Sequence, residues 1–278
     1  MRSLEALRRF YAQYVTASAE VVDERIVDAF ASVKREHFVG PGPWHIPVRD
    51  GYIVTDTDDP AVLCQDILVG LAPDRGINNG EPSLHAKCIA AASPQVGEVV
   101  VHVGAGTGYY TAILAHLVGH SGHVHGFEIE PDIALRAAEN LAHSANVVIH
   151  ARSALGVRLP LADVIYVSAG TTHLPAAWLD ALAPGARLVL PLTPNERHGC
   201  MLLVTRVSEA GYAARIFSTA GFIPCIGARD EKQSSAVAAA LDAGSTDEVR
   251  SLRRGSEPDD SAWCIGTDWW LSTAEPTE

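Results

Sequence analysis

The stretch Val99–Leu114, VVVHVGAGTGYYTAIL, constrains this chain more than any other. Its first residues, mostly valine, read as a buried strand, and the apolar run from Tyr110 to Val118 reads as a buried helix. Between them stand Gly104, Gly106 and Gly108. Glycine adopts backbone conformations closed to other residues, and it lets a ligand approach the main chain without meeting a β-carbon. A strand, a glycine turn and a helix in that order open a nucleotide-type cofactor site in many α/β sheets.

The spacing narrows the cofactor. A dinucleotide fingerprint asks for GxGxxG, and the position of its last glycine is Tyr109 here. S-adenosylmethionine has no pyrophosphate and needs no phosphate cradle, so GAGTG suits it better. The next apolar segment, GHVHGFEIEP, carries Glu128 twenty residues past Gly108. An acid at that place accepts hydrogen bonds from a ribose diol in either cofactor class.

Short apolar segments alternate with helical stretches from Val99 onward. Strands are expected at Val99–Val103, His123–Glu128, Val147–Ala151, Val164–Ser168 and Ala186–Leu192, with helices at Tyr110–Val118, Asp132–Ser144 and Pro175–Leu182. This alternation is the mark of a parallel sheet covered by helices. Met201–Val207 and Ala213–Phe217 read as an antiparallel hairpin at its edge. Upstream, helices are expected over residues 3–20, from the N-cap Asp23 onward, and over Pro82–Ala92. FVGPGPWHIPVRDGY between them is expected to be irregular. After Asp230 come a modest helix, a polar turn-rich stretch and AWCIGTDWWLS, whose tryptophans point to docking on the domain.

Composition excludes several classes. The 278 residues carry 21 lysines and arginines against 33 acids, a net charge of −12, which argues against a nucleic-acid partner. No apolar run reaches the roughly 18 residues of a membrane span, and the N-terminus shows no apolar signal core. Cys64, Cys88, Cys200, Cys225 and Cys264 are scattered without a CxxC pair and read as reduced thiols of a cytoplasmic protein. Among the 12 histidines His123 and His125 alternate as on one face of a strand, and no metal site is expected.

Several longer segments resemble one family. DERIVDAFASVKREHFV (Asp23–Val39), GTGYYTAILAHLVG, VIYVSAGTTHLPAAWLDALAPGARLVLPL (Val164–Leu192) and GFIPCIG (Gly221–Gly227) are similar to the protein-L-isoaspartate O-methyltransferase family, over about residues 20–230. The resemblance implies methyl transfer from S-adenosylmethionine to a carboxylate oxygen. It implies the doubly wound, mostly parallel seven-stranded α/β sheet of the Rossmann-like methyltransferases. Three regions are expected along the chain: residues 1–92 as an N-terminal helical and substrate-loop region, 93–230 as the cofactor-binding core, and 231–278, beyond the resemblance, as an extension docked near the site or at a subunit contact. Gly104, Gly106, Thr107 and Gly108 would line the methionine and ribose side, Glu128 would hold the ribose hydroxyls, and Ile129 would pack on adenine.

The chain departs from the family at three places. His102 stands where the family usually has an acid, and an imidazole cannot act as an anion towards the cofactor's ammonium. Arg152 and Ser153 replace the family's G-D-G, leaving Ser153 or a backbone carbonyl to accept from the adenine amino group. The family's Q-T-I-S-x-P loop appears as Ile77–Pro82, with Gly80 at the serine and Asn78-Asn79 before it; Ser83 follows the proline. Asn78 and Asn79 are placed to donate to an acceptor carboxylate, although Asn-Asn-Gly is also a natural turn former. His85, on the following helix, and His173, past the fourth strand, are further candidates, each also readable as a packed residue. A carboxylate is already a nucleophile at neutral pH, so positioning and desolvation carry the catalysis. The expected activity is O-methylation of a carboxylate on a peptide or small natural product other than the repair substrate. The isoaspartyl repair reaction and a non-catalytic binding module are the alternatives, and a homodimer is compatible with each.

Overall fold

In the computed structural model of the protein, residues 3–195 and 198–277 are described. The helices are α1 (Leu4–Ser18), α2 (Glu24–Ser32), α3 (Pro82–Ala92), α4 (Tyr109–Val118), α5 (Pro131–Asn140), α6 (Ala176–Asp180) and α7 (Glu231–Ala243). The strands are β1 (His45–Val48), β2 (Gly51–Val54), β3 (Gly70–Ala72), β4 (Ile77–Asn78), β5 (Val99–Val103), β6 (His123–Glu128), β7 (Val147–Ala151), β8 (Ala162–Val167), β9 (Leu182–Leu192), β10 (Gly199–Arg206), β11 (Tyr212–Ala220), β12 (Ser251–Arg254), β13 (Ala262–Ile265) and β14 (Trp269–Ser272). The chain divides into two compact units, one running up to Glu98 together with Gly104–Ser153, the other made of Val99–Val103 and everything from Ala154 on.

The first unit begins with two capped helices. Ser3 accepts from the N–H of Ala6 at the start of α1, and Asp23 accepts from that of Arg25 at the start of α2. Tyr11, Ala12 and Val15 of α1 and Ile26, Val27 and Phe30 of α2 are buried, the stripe that helical periodicity predicts. Phe30 meets Tyr109 of α4 edge-on at 6.3 Å. Eight of the ten α4 residues are buried, so this helix is apolar on nearly every side, as its sequence indicates. The strands β6 and β7 pair in parallel from Val124↔Val147 to Glu128↔Ala151. A smaller core of Val39, Trp44, Leu63, Val69, Leu71, Ala72 and Ile133 lies under the β3–β4 hairpin.

The segment expected to be irregular holds a hairpin instead. There β1 pairs antiparallel with β2, with Pro47 opposite Tyr52. Both strands of a two-stranded ribbon are edges, where proline is tolerated. The helix α5 also stops at Asn140 rather than Ser144, because the chain beyond it tightens into turns, Ala142 N–H to Glu139 O and Ser144 N–H to Leu141 O.

In the second unit, among the described residues, strands are hydrogen-bonded in the order β13-β14-β12-β11-β10-β9-β8-β5. Pairing is parallel for β5–β8 and β8–β9, and antiparallel from β9 outward. The fold class is the doubly wound α/β type expected. Three of these strands, β12 to β14, come from the C-terminal extension, beyond the core for which seven strands were expected. The apolar patch with the tryptophans thus docks as strands at a sheet edge. No described helix is long and apolar enough to cross a membrane.

Candidate functional site

The glycine turn lies in the first unit. Gly104, Gly106 and Gly108 have φ of 77°, 56° and 97°, the left-handed region that disfavours side chains. The N–H groups of Gly104 and Ala105 both donate to Phe127 O, at 2.9 and 3.0 Å, which ties the turn to the end of β6. A β-carbon on Gly108 would fall 2.7 Å from Leu141 Cδ1, whereas on Gly106 the nearest atom would be Leu71 Cδ1 at 3.8 Å. At Gly106 a side chain would thus meet an ordinary contact with Leu71 rather than a clash, and this glycine is half-buried where Gly108 is buried. Asn140 Nδ2 donates to the carbonyl of Thr107 at 2.9 Å and steadies the same loop from α5.

Glu128, the last residue of β6, is 8% exposed. Its two oxygens accept from the N–H groups of Gly106 at 2.7 Å and Glu130 at 3.0 Å. A carboxylate has about four acceptor positions, so the pair of oxygens can also take the hydroxyls of a diol. Burial pushes the Glu128 carboxyl above its ordinary range, opposed by the amide bonds. Ile129 follows as an exposed apolar side chain. Arg152 and Ser153 come directly after β7, Arg152 exposed and Ser153 half-buried.

The rewritten loop is held from several directions. Asn78 Oδ1 accepts from Gly80 N–H at 2.9 Å, an Asx-type turn. Asn79 is buried, and its Oδ1 accepts from Val69 N–H at 2.8 Å and from Arg35 Nη2 at 3.2 Å. Its Nδ2 is buried with no hydrogen-bond partner among the described residues. Arg35, itself buried, also donates to the carbonyls of Leu63, Gln65 and Ile67. Ser83, half-buried in the first turn of α3, gives its N–H to Asp66 Oδ1 at 2.9 Å. Tyr110, two residues past Gly108, donates its hydroxyl to Gly80 O at 3.3 Å. Burial pushes that phenol well above 10, so it stays a neutral donor. The His85 ring stacks on Tyr110 at 3.6 Å and 7°. The loop is thereby fastened to the first turn of α4.

The structure brings Asn78, Asn79, Ser83, Gly104, Gly106, Thr107, Gly108, Glu128, Ile129, Arg152 and Ser153 into the first unit, while His102 belongs to the second. His102 is fully buried, with Nε2 2.9 Å from Ser168 Oγ. Burial lowers its pKa to about 3, so it is neutral. His173, half-buried in the same unit, has a buried Nδ1 without a hydrogen-bond partner among the described residues, and burial lowers its pKa too. Beyond the end of β9, a cleft of about 360 Å³ is lined by residues including Asn195, His198, Phe222 and Arg229. Among the described residues no three His, Cys, Asp or Glu side chains are grouped to hold a metal ion. Arg35 and Tyr110 are the residues the geometry adds. Tyr110 reads in sequence as one more apolar position of α4, and nothing in the local pattern around Arg35 signals burial.

A family model described as protein-L-isoaspartate(D-aspartate) O-methyltransferase matches residues 12–230. A relative named protein-L-isoaspartate O-methyltransferase 2, from Anaeromyxobacter sp. (strain Fw109-5), is 30% identical over 210 residues, 74% of this chain and 77% of the relative. A relative of the same name from Marinobacter nauticus is 29% identical over 232 residues, 81% of this chain and 95% of the relative. Among solved structures, a protein-L-isoaspartate O-methyltransferase superposes with a TM-score of 0.67 at 23% identity, covering 79% of this chain and 66% of that one. A putative protein-L-isoaspartate O-methyltransferase from Plasmodium falciparum, in complex with S-adenosyl-L-homocysteine, gives 0.60 at 18% identity, covering 78% of this chain and 97% of that one.

Proposed function

The chain belongs to the protein-L-isoaspartate(D-aspartate) O-methyltransferase family, and from that premise we propose that it methylates the free carboxylate of isoaspartyl residues in peptides and proteins. It is an S-adenosylmethionine-dependent methyltransferase. The first unit suits that cofactor: a half-buried glycine turn at Gly106, a buried carboxylate at Glu128 with acceptor capacity to spare, and apolar surface at Ile129. When bound, the cofactor supplies a methyl group on a sulfonium.

The chain's own residues position and shield. The turn Gly104–Gly108, with Thr107, would face the methionine and ribose side. Glu128 would accept from the ribose hydroxyls, and Ile129, Arg152 and Ser153 would border the adenine. Asn78, Asn79 and Ser83 border the acceptor. The observation that carries this reading is Asn79, whose oxygen is engaged by Arg35 and Val69 while its buried Nδ2 keeps an unused donor. A carboxylate oxygen satisfies such a donor, and a buried donor left unpaired costs about 1–3 kcal/mol. An ionised carboxylate needs no base, so the loop has only to hold it and exclude water.

The small natural product, part of the activity first expected from the sequence, finds no support in the relatives' names. A carboxylate other than the repair substrate remains as a second reading, favoured by Gly80 at the family's serine. In the proposed division, residues 1–92 supply the acceptor loop, 93–230 the cofactor core and 231–278 an extension, in a cytoplasmic protein whose five cysteines are not joined in disulfides. Incubation with methyl-labelled cofactor and a peptide carrying one L-isoaspartyl residue is expected to give a base-labile methyl ester, and the aspartyl counterpart none. Cofactor binding without transfer to the isoaspartyl peptide would sink the proposal, and transfer to another carboxylate would establish the second reading.

A further inference from the structure

The acceptor loop continues the return strand of a small hairpin, and that hairpin is held at its turn. The strands β3 and β4 pair antiparallel, with Gly70 opposite Asn78 and Ala72 opposite Ile77. A ribbon of two short strands is marginal by itself, so its placement depends on what holds it. The turn Pro73–Arg75 ends on Gly76, whose φ of 68° is left-handed, and Asn78 and Asn79 come shortly after. Arg75 reaches from this turn to the start of α5. Its Nη1 donates to Glu130 Oε2 at 2.6 Å and to Asp132 Oδ1 at 3.0 Å, and its Nη2 donates to Asp132 Oδ2 at 2.6 Å. Farther along α5, Arg136 Nη1 donates to the carbonyl of Leu71 in β3 at 3.2 Å. Between them Ile133 is buried in the core of Val69, Leu71 and Ala72. Asp132, Ile133 and Arg136 share one helical face, so one side of α5 carries the hairpin.

Glu130 ties this clasp to the cofactor strand. Its side chain takes Arg75, while its N–H donates to Glu128 Oε1 at 3.0 Å. Glu128 Oε2 accepts from Gly106 N–H at 2.7 Å. Hydrogen bonds therefore run without a gap from the glycine turn through Glu128 and Glu130 to Arg75. From this path we infer that Arg75 is a positioning residue for the methyl transfer: it fixes where the loop with Asn78 and Asn79 lies relative to Glu128. The inference rests on the proposed transfer and adds a residue to it. Arg75 works through Glu130 and Asp132, and its part is geometric, because a displacement of about 1 Å is enough to slow a reaction that depends on alignment. The two-pronged bond to Asp132 fixes direction as well as distance, which a lysine ammonium would not. Stability is not its purpose, since all three side chains are partly exposed and such ion pairs add little.

The test follows amide hydrogen exchange of the full-length protein with S-adenosylhomocysteine bound, beside initial-rate methylation of a hexapeptide with one L-isoaspartyl residue. Arg75→Ala is expected to speed exchange of residues 77–81 and to lower kcat at saturating peptide about tenfold, with the urea midpoint and S-adenosylhomocysteine affinity unchanged. Arg75→Lys keeps the charge without the fork and should restore part of the rate. Asp132→Asn should act in the same direction but less, because Glu130 still holds Nη1. Combining Arg75→Ala with Asp132→Asn should cost no more than Arg75→Ala alone, since both cut one link. Should Arg75→Ala fail to fold, Arg75→Lys and Asp132→Asn still decide. Unchanged exchange and kcat in a folded Arg75→Ala, losses that simply add in the double variant, or a urea midpoint that falls in step with kcat would overturn the inference and leave the acceptor reading standing. A wild-type protein that binds S-adenosylhomocysteine yet makes no ester of the peptide would overturn the acceptor reading. Exchange of residues 77–81 then speaks for Arg75 by itself: faster in Arg75→Ala upholds its positioning of the loop, and equal rates overturn it.

Discussion

A buried neutral imidazole at His102 makes folding of this chain sensitive to acid. Its pKa is about 3 in the folded protein, held down by burial, against an ordinary 6.5. Below pH 6.5 the unfolded chain takes up a proton that the folded chain refuses. Its contribution to stability is therefore fully present above 6.5 and falls by about 1.4 kcal/mol per pH unit from there towards 3. His102→Gln keeps a polar group for Ser168 and removes the titration. Urea unfolding at pH 7.5 and 5.5 should show the wild type losing about 1.4 kcal/mol more than this variant over that interval, and equal losses would refute the account. The residue itself was legible in the sequence, on an apolar strand two positions before the first glycine. Its partner Ser168, 66 residues away, was not, because periodicity reports which face is buried and not what meets it. The same holds for the loop. Asn78-Asn79-Gly80 announced a turn, while the engagement of Asn79 by Arg35 emerged only from packing.

At the scale of elements, Arg35 organises the segment from Leu63 to Asn79. One buried guanidinium bonds the carbonyls of Leu63, Gln65 and Ile67 and the side chain of Asn79, four acceptors that no regular element supplies with donors. Removing it strands the three carbonyls and leaves Asn79 Oδ1 with Val69 N–H alone, so Arg35→Ala is expected to destabilise the fold by about 3–5 kcal/mol. Lysine has a point charge rather than a planar fork and should recover only part of that. Denaturant midpoints at constant m-value measure both, and a loss under 1 kcal/mol for Arg35→Ala would show that water replaces the guanidinium. Elements bounded by strong local signals were legible to the residue: α3 at Pro82–Ala92 begins with proline, and β5, β6 and β7 are apolar runs between turns. The hairpin β1–β2 and the strands β12 to β14 were not. Each is four residues long, too short to show a period, and proline, arginine and glycine in and around them read as punctuation.

For the molecule as a whole, the C-terminal extension is where sequence and family part company. The family match ends at residue 230, and residues 231–278 add α7 and three strands to the antiparallel end of the second unit. The join is narrow, since β12 meets β11 only at Tyr212↔Leu252 and Ala213↔Ser251, yet Leu252, Trp269, Trp270 and Leu271 are all buried. Tryptophan nitrogens are satisfied within the extension, Trp269 by Gln233 Oε1 and Trp270 by Ser256 O, so the segment is tied to itself as much as to β11. A bare β11 would be an open edge ready to pair with another chain. The extension also carries ten acids against four bases, half of the net charge of −12, and charge of one sign keeps chains apart in solution. A chain ending at Asp230 therefore loses its edge cover and half its net charge together. Light scattering behind size exclusion should find the full chain at one discrete mass and the shortened chain in larger, heterogeneous species. Raising the salt screens charge and leaves strand pairing intact. If salt also makes the full chain associate, repulsion was the safeguard; if only the shortened chain associates at every salt concentration, the cover on β11 was. A shortened chain that runs at a single mass with unchanged S-adenosylhomocysteine affinity would deny the extension either role.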